Sequence, residues 1–159
     1  MNIEFQGKSV IVTGAAHGFG RAIAIAFAER GSSVWGCDIL DDELAETQRL
    51  CAAAGGDCQV RTVDVTERDA VFAFVAEAVE LTGRVDIVVN NAGGVLGQVG
   101  RPLEEIRPDE WQSIYDVNVT AAFYFAQAVV PGMKEAKSGR IINISSGAGL
   151  GISLTGIQA

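Results

Sequence analysis

The 159 residues carry 20 acidic against 12 basic side chains, a formal net charge of −8, with 48% hydrophobic content, 19 glycines and 3 prolines. A chain of this length buries roughly 70% of the surface it exposes when unfolded, so its core needs no disulfide or metal staple. The acidic balance excludes a broad phosphate-backbone footprint, and neither nucleic acid nor an anionic membrane is an expected partner.

Residues 1–8 show no basic region ahead of an apolar run, so neither a signal nor a transit peptide is expected and the location reads as cytoplasmic. The first strand is predicted at residues 9–13, followed by a helix over 20–30 with Ala22, Ile23, Ala26 and Phe27 at helical spacing and Gly31 as its stop. Residues 33–38 form the second strand. Asp41 or Asp42 is expected to cap a second helix ending at Gly55-Gly56, and residues 59–63 form the third strand. Thr66-Glu67-Arg68-Asp69 reads as a capping box, with Asp in the Glu position, opening a helix that carries Val71, Phe74, Val75, Ala78 and Val79. Residues 85–90 make the fourth strand. After a glycine-studded loop to Arg107, Pro108 introduces one long helix toward Val130, and residues 139–145 form the fifth strand. The most apolar stretch, 121–130, contains Gln127 and stops at Pro131, short of the ~18 residues of a membrane helix.

Five strands alternating with four helices specify an α/β fold, a doubly wound parallel sheet of Rossmann-like type with helices on both faces. Residues 1–159 read as one dinucleotide-binding domain holding the first five strands, incomplete on its C-terminal side. Cys37, Cys51 and Cys58 form no Cys-x-x-Cys pair and have one histidine, His17, for company, so free buried thiols are expected and no zinc site.

Thr13-Gly14-Ala15-Ala16-His17-Gly18-Phe19-Gly20 lies where the first strand turns into the first helix. There Gly14 permits a tight turn, Gly18 leaves room for a diphosphate, and Gly20 allows close helix–strand packing. The helix start offers unpaired N–H groups to an anion. Asp38 ends the second strand 38 − 20 = 18 residues beyond Gly20, where a carboxylate accepts from adenosine ribose hydroxyls and repels a 2′-phosphate. NAD is therefore expected, with NADP less favoured. The alternative is that Asp38 only caps the turn that follows, and His17 or Arg21 could instead support a phosphate.

Together with Asp64-Val65, Asn90-Asn91-Ala92-Gly93, Asn118 and Ile142-Asn143-Ile144-Ser145-Ser146, the glycine turn resembles the short-chain dehydrogenase/reductase family, in order and spacing, over essentially the whole chain. The resemblance implies that Asp64 and the Val65 backbone meet adenine, that Asn91, Ala92 and Gly93 approach the nicotinamide-side ribose, and that Asn90 braces the sheet. Phe19 and Ile39 join Gly14, His17, Gly18, Gly20 and Asp38 on the cofactor side. Asn118 would distort its helix and position a water in a proton relay; Ser146, in preference to Ser145, would hold the substrate oxygen. Residues 94–100, with Val95, Leu96 and Val99, would form part of a substrate wall.

The family's tyrosine and, four residues on, its lysine are absent: Val119 follows Tyr115 at that spacing and Ala128 follows Tyr124. Both tyrosines are expected to be helix-packing residues. The implied parent is an NAD-dependent oxidoreductase interconverting a secondary alcohol and a ketone, homo-oligomeric at full length, while the 159 residues alone would be inactive. The other reading is a non-catalytic dinucleotide-binding or regulatory module. A sugar or polyol substrate is not distinguished from an acyl-thioester ketone.

Overall fold

The computed structural model describes residues 3–147. Strands β1 (Ser9–Thr13), β2 (Ser33–Asp38), β3 (Asp57–Thr62), β4 (Ile87–Asn90) and β5 (Arg140–Asn143) form one parallel sheet in the order β3-β2-β1-β4-β5. Ile11 of β1 stands beside Trp35 on one side and Val88 on the other, so the chain reverses its winding direction between β1 and β4. Helices α1 (Gly18–Ala28) and α2 (Asp41–Ala53) cover one face, and α3 (Arg68–Thr82) and α5 (Ala121–Glu135) the other. This is the doubly wound, Rossmann-like arrangement that the strand–helix alternation predicts.

Covering both faces explains why β1 is an unbroken β-branched run with every residue buried. Val10, Val12, Val34 and Val89 point toward Ala24, Ala28 and Leu44 of α1 and α2. Ile11, Trp35 and Val88 point the other way, toward Phe74 of α3 and Phe125 of α5. Edge-on ring contacts link that second layer, at 6.1 Å between the centroids of Trp35 and Phe74 and 6.4 Å between those of Phe74 and Phe125. All three cysteines are free and buried. At the N-terminal edge of the sheet, Asp86 accepts from the Ser9 amide at 3.1 Å, Lys8 Nζ at 3.1 Å and Arg84 Nε at 3.0 Å, fixing the start of β1 against β4.

Several expected boundaries move. The first helix begins two residues early, at Gly18, β3 starts at Asp57, and β4 and β5 are shorter than their apolar runs. Neither Asp41 nor Asp42 caps α2, whose cap position is Leu40; Asp41 accepts from the Thr62 hydroxyl at 2.7 Å instead. The capping box at Thr66 does not form. Asp64 captures both the amide and the hydroxyl of Thr66, at 2.9 and 2.7 Å, and α3 starts after Glu67. At Arg107 only half of such a box forms: the Glu110 carboxylate accepts from the Arg107 amide at 2.9 Å, opening α4 (Pro108–Tyr115).

The largest departure is the long helix. It consists of α4, a π-helical segment at Asp116–Thr120 and α5, and it continues through Pro131 to Glu135. The π turn inserts an extra residue into the helical repeat, which rotates α5 relative to α4. Pro131 is tolerated in α5, one turn from the end rather than at it.

Candidate active site

Two adjoining clefts open at the C-terminal edge of the sheet, over the point where the strand order reverses. The smaller, about 410 Å³, is lined by Gly14, His17, Gly18, Phe19, Asp38, Ile39, Asp64, Val65, Asn91, Ala92 and Gly93. These are eleven of the twelve cofactor-side residues expected from sequence; Gly20 lies beneath it. The larger, about 630 Å³, gathers Asn118, Ser145 and Ser146 with Asn91, Ala92, Gly93 and the aromatic side chains Trp111 and Tyr115.

The glycine turn is built by close approach of two strand ends. Gly14 sits at φ +65°, and a Cβ on it would stand 2.8 Å from Asn91 Nδ2 and 2.9 Å from Ala92 Cα. No L side chain fits there. A Cβ on Gly20 would overlap the Gly14 carbonyl oxygen, whereas around Gly18 there is open space. Thr13 Oγ1 accepts from the amides of Asn91 and Ala92 at 3.0 and 2.8 Å, and Asn91 Nδ2 donates to the carbonyls of Thr13 and Gly14 at 3.0 and 3.2 Å. The loops after β1 and β4 are thus tied edge to edge.

A second set of bonds supports the turn from below. Buried Thr47 of α2 donates its hydroxyl to the Ala15 carbonyl at 2.8 Å and accepts from Arg21 Nε at 2.9 Å. Arg21 also donates to the carbonyls of Ala16 and Glu43. Its guanidinium is therefore committed to the underside of the turn, which removes it as a phosphate partner; His17 remains exposed on the cleft rim.

Asp38 makes the capping bonds of the alternative reading and also lines the smaller cleft. One carboxylate oxygen accepts from the Ala16 amide at 3.1 Å, and the other from Ile39 and Leu40 at 2.7 and 3.3 Å, so it caps two turns while facing the cleft wall. Asn90 donates to Asn143 Oδ1 at 2.8 Å and binds β5 to β4, the bracing role expected of it.

Asn118 lies inside the π segment. Its side chain accepts from the Gly94 amide at 3.0 Å and donates to the carbonyls of Gly94 and Ile114, both at 2.8 Å. The clamp leaves no room beside it: a Cβ on Gly93 would come within 2.5 Å of Asn118 Oδ1. Asparagine is a poor helix former, and the opened π turn is what lets its amide reach another loop.

Two expectations fail. Tyr115 does not pack away as a helix-face residue; it is half exposed and lines the larger cleft, while Tyr124 does pack against the core. Of the residues foreseen as a substrate wall, Gly94 and Val95 line that cleft, whereas Leu96 and Val99 are exposed outside it. Sequence reasoning also missed Thr47, Val63 and Val117, and gave Thr13 no role of its own at the head of the glycine turn. Thr47 had a signal, a hydroxyl at helical spacing between apolar Leu44 and Cys51; Val117 had none, because its placement depends on the π turn.

The arrangement fits an elongated ligand with a diphosphate at its middle. Room beside Gly18, unpaired N–H groups at the start of α1 and the Asp38 carboxylate, 18 residues beyond Gly20, are the features a dinucleotide requires. Among the described residues no cluster of His, Cys, Asp or Glu could hold a metal ion, and no helix is long and apolar enough to cross a membrane.

Residues 8–156 match the family model described as short chain dehydrogenase. The chain is 32% identical over 148 residues to a 3-oxoacyl-[acyl-carrier-protein] reductase FabG of Thermotoga maritima, covering 93% of this chain and 59% of that protein. It is 36% identical over 147 residues to a 3beta-hydroxysteroid dehydrogenase of Mediterraneibacter gnavus, covering 92% and 52%. It therefore spans between half and three-fifths of the length of these relatives. A metagenomic short-chain oxidoreductase solved with NADP superposes with a TM-score of 0.90 at 37% identity, covering 96% of this chain and 68% of that one. A 7 alpha-hydroxysteroid dehydrogenase solved with NADH and 7-oxo glycochenodeoxycholic acid superposes with a TM-score of 0.87 at 32% identity, covering 96% and 58%.

Proposed function

The chain belongs to the short-chain dehydrogenase family, and from that membership we propose that it forms the dinucleotide-binding part of an oxidoreductase that interconverts a secondary alcohol and a ketone, with NAD preferred over NADP. The observation that carries this reading is the cleft over the strand-order reversal, where the glycine turn and Asp38 face one another. A bound nicotinamide dinucleotide supplies the hydride donor or acceptor.

The chain's own residues bind and orient. The start of α1 receives the diphosphate beside Gly18, and Asp38 accepts from the adenosine ribose. Asp64 and Val65 border adenine, and Asn91, Ala92 and Gly93 border the second ribose. Asn118 holds the Gly94 loop over the junction of the two clefts and so sets where a nicotinamide ring and a substrate meet. Ser146, on the wall of the larger cleft, orients the substrate oxygen. The 159 residues contain no Tyr-x-x-x-Lys pair to exchange the proton, so binding, not turnover, is the property proposed for them.

Cofactor preference rests on Asp38. A carboxylate about 5 Å from a 2′-phosphate repels it by roughly 3 kcal/mol per unit charge at an effective dielectric of 20, and by less where solvent enters. Both neighbours named above are compatible with the cleft, one holding NADP and the other NADH. The free thiols are in keeping with a reducing, cytoplasmic setting.

Thermal unfolding with each dinucleotide tests the reading. NADH should raise the midpoint more than NADPH at equal concentration, and Asp38→Asn should narrow the difference. Failure of both dinucleotides to bind overturns the assignment of the cleft, while stronger protection by NADPH overturns only the role of Asp38.

A further inference from the structure

Two of the cysteines share one corner of the molecule. Cys51 lies in the last turn of α2 and Cys58 near the start of β3, and both belong to the core layer beneath α1 and α2, Cys51 fully enclosed and Cys58 5% exposed. The Cys58 thiol donates a hydrogen bond to the Cys51 sulfur. Cys37 faces the opposite side of the sheet, in the layer beneath α3 and α5, so the sheet itself separates it from this pair.

The backbone holds the pair in place. The Gly56 amide donates to the Cys51 carbonyl at 3.0 Å, and Gln48 Nε2 of α2 donates to the Cys58 carbonyl at 2.9 Å, so helix and strand are tied on either side of the two sulfurs. A Cβ on Gly56 would stand 2.5 Å from the Ala28 backbone, which shows how closely the connecting turn is pressed onto the end of α1. A buried cysteine usually serves as a small apolar side chain, and packing accounts for Cys37 in that way. Packing does not ask for sulfur against sulfur. A thiol–thiol contact between neighbouring elements requires two Cβ atoms that face each other, and that is also what a disulfide requires.

We propose that Cys51 and Cys58 form a reversible disulfide when the reduced chain meets a hydroperoxide, so that the corner between α2 and β3 is a redox-modification site. The turn covering the pair, residues 52–57, is exposed or half buried throughout, and its local opening admits a molecule as small as hydrogen peroxide. The hydrogen bond accepted by Cys51 favours its thiolate, the nucleophilic form. Its sulfur attacks one peroxide oxygen, the O–O bond breaks, the other oxygen leaves as water with the thiol proton, and Cys51 becomes a sulfenic acid. The Cys58 sulfur then displaces that remaining oxygen, which leaves with the Cys58 proton as a second water while the S–S bond closes. Two electrons pass from the sulfurs to the peroxide, and a dithiol reductant returns them. Both clefts open at the other end of the sheet, so this inference is independent of the dinucleotide reading.

The test treats the reduced, native chain with hydrogen peroxide, unfolds it in the presence of iodoacetamide and digests it with trypsin, which leaves both cysteines in residues 50–61 and Cys37 in residues 31–49. The 50–61 peptide should be lighter by about 2 Da and take up no label until dithiothreitol is added, while the Cys37 peptide is labelled at once. Closing so short a ring constrains the unfolded chain, and the unfolding midpoint of the oxidised protein should rise by on the order of 5 °C and fall back on reduction. Cys58→Ala should stop the reaction at a sulfenic acid on Cys51 that dimedone traps. The mass and midpoint measurements are made on the wild-type chain and so decide the matter even where that variant is unstable. Full labelling of residues 50–61 after peroxide, links that include Cys37, closure only once the chain is unfolded in urea, or a lowered midpoint in the linked chain would each overturn the proposal.

Discussion

Adding one methyl group at Gly20, which does not itself line the cleft, should damage it through Gly14 and Asn91, which do. The new Cβ would overlap the Gly14 carbonyl and approach Asn91 Nδ2 at 2.7 Å. Because the first obstacle is backbone, no rotamer change relieves it, and the start of α1 must shift by on the order of 1 Å to restore contact distance. Overpacking of this kind costs about 1–3 kcal/mol, partly offset by the ~1 kcal/mol that alanine gains over glycine within a helix. A net loss of up to about 2 kcal/mol lowers the midpoint of a chain this size by up to roughly 8 °C. The same shift moves the N–H groups expected to hold the diphosphate, so NADH affinity should fall about tenfold or more. Gly132 in α5 is the control: a Cβ there would meet nothing within 4 Å, and Gly132→Ala should stabilise by up to ~1 kcal/mol. Calorimetry and a fluorescence titration with NADH check both. Wild-type stability and affinity in Gly20→Ala would refute the steric argument for the turn.

Thr47→Val preserves shape but leaves the Ala15 carbonyl and Arg21 Nε short of a partner; a loss of about 1–3 kcal/mol in urea unfolding is expected, and unchanged stability would contradict the support assigned to Thr47. Asn118→Ala removes three hydrogen bonds at an exposed position, and should reduce stability by about 1 kcal/mol and NADH affinity severalfold, with an unaltered titration ruling out the clamp. For Asp86, desolvation works to raise the pKa, but the Ser9 amide, Lys8 and Arg84 outweigh it and hold the carboxyl below its ordinary value. A depressed folded-state pKa means its contribution is complete above the unfolded value near ~3.9 and is lost as pH falls through the folded one. Asp86→Asn should therefore flatten the stability profile below about pH 4 and cost little once the wild-type carboxyl is protonated; parallel acid profiles for the two proteins would count against this.

The sheet was legible because buried parallel strands leave a simple trace: β1, β2 and the other apolar runs alternate with helical periods, and both faces are covered. The gathering of Gly14, Asp38, Asp64 and Gly93 in one cleft was legible for a related reason, since they sit at strand ends that this topology must bring together. What escaped depends on competition between local bonds. Asp64 won the Thr66 hydroxyl from the expected helix cap, and Thr62 drew Asp41 away from α2. The π turn at Asp116–Thr120 leaves no distinctive periodicity over five residues, so neither the rotation of α5 nor the exposure of Tyr115 could be read from spacing. Arg21 of α1 and Thr47 of α2 form their platform between helices that meet only in the folded chain.

The enclosure of the cysteines turns the chain into an instrument. A thiol reacts as its thiolate; burial together with the charge of Asp38 raises the pKa of Cys37, and the hydrogen bond that Cys58 donates to Cys51, with burial, raises that of Cys58 and lowers that of Cys51. Cys51 has no exposed surface at all. The buried thiols should react slowly with polar alkylating dyes, so one cysteine introduced at exposed His17 should carry the fast label, a reporter on the rim of the smaller cleft.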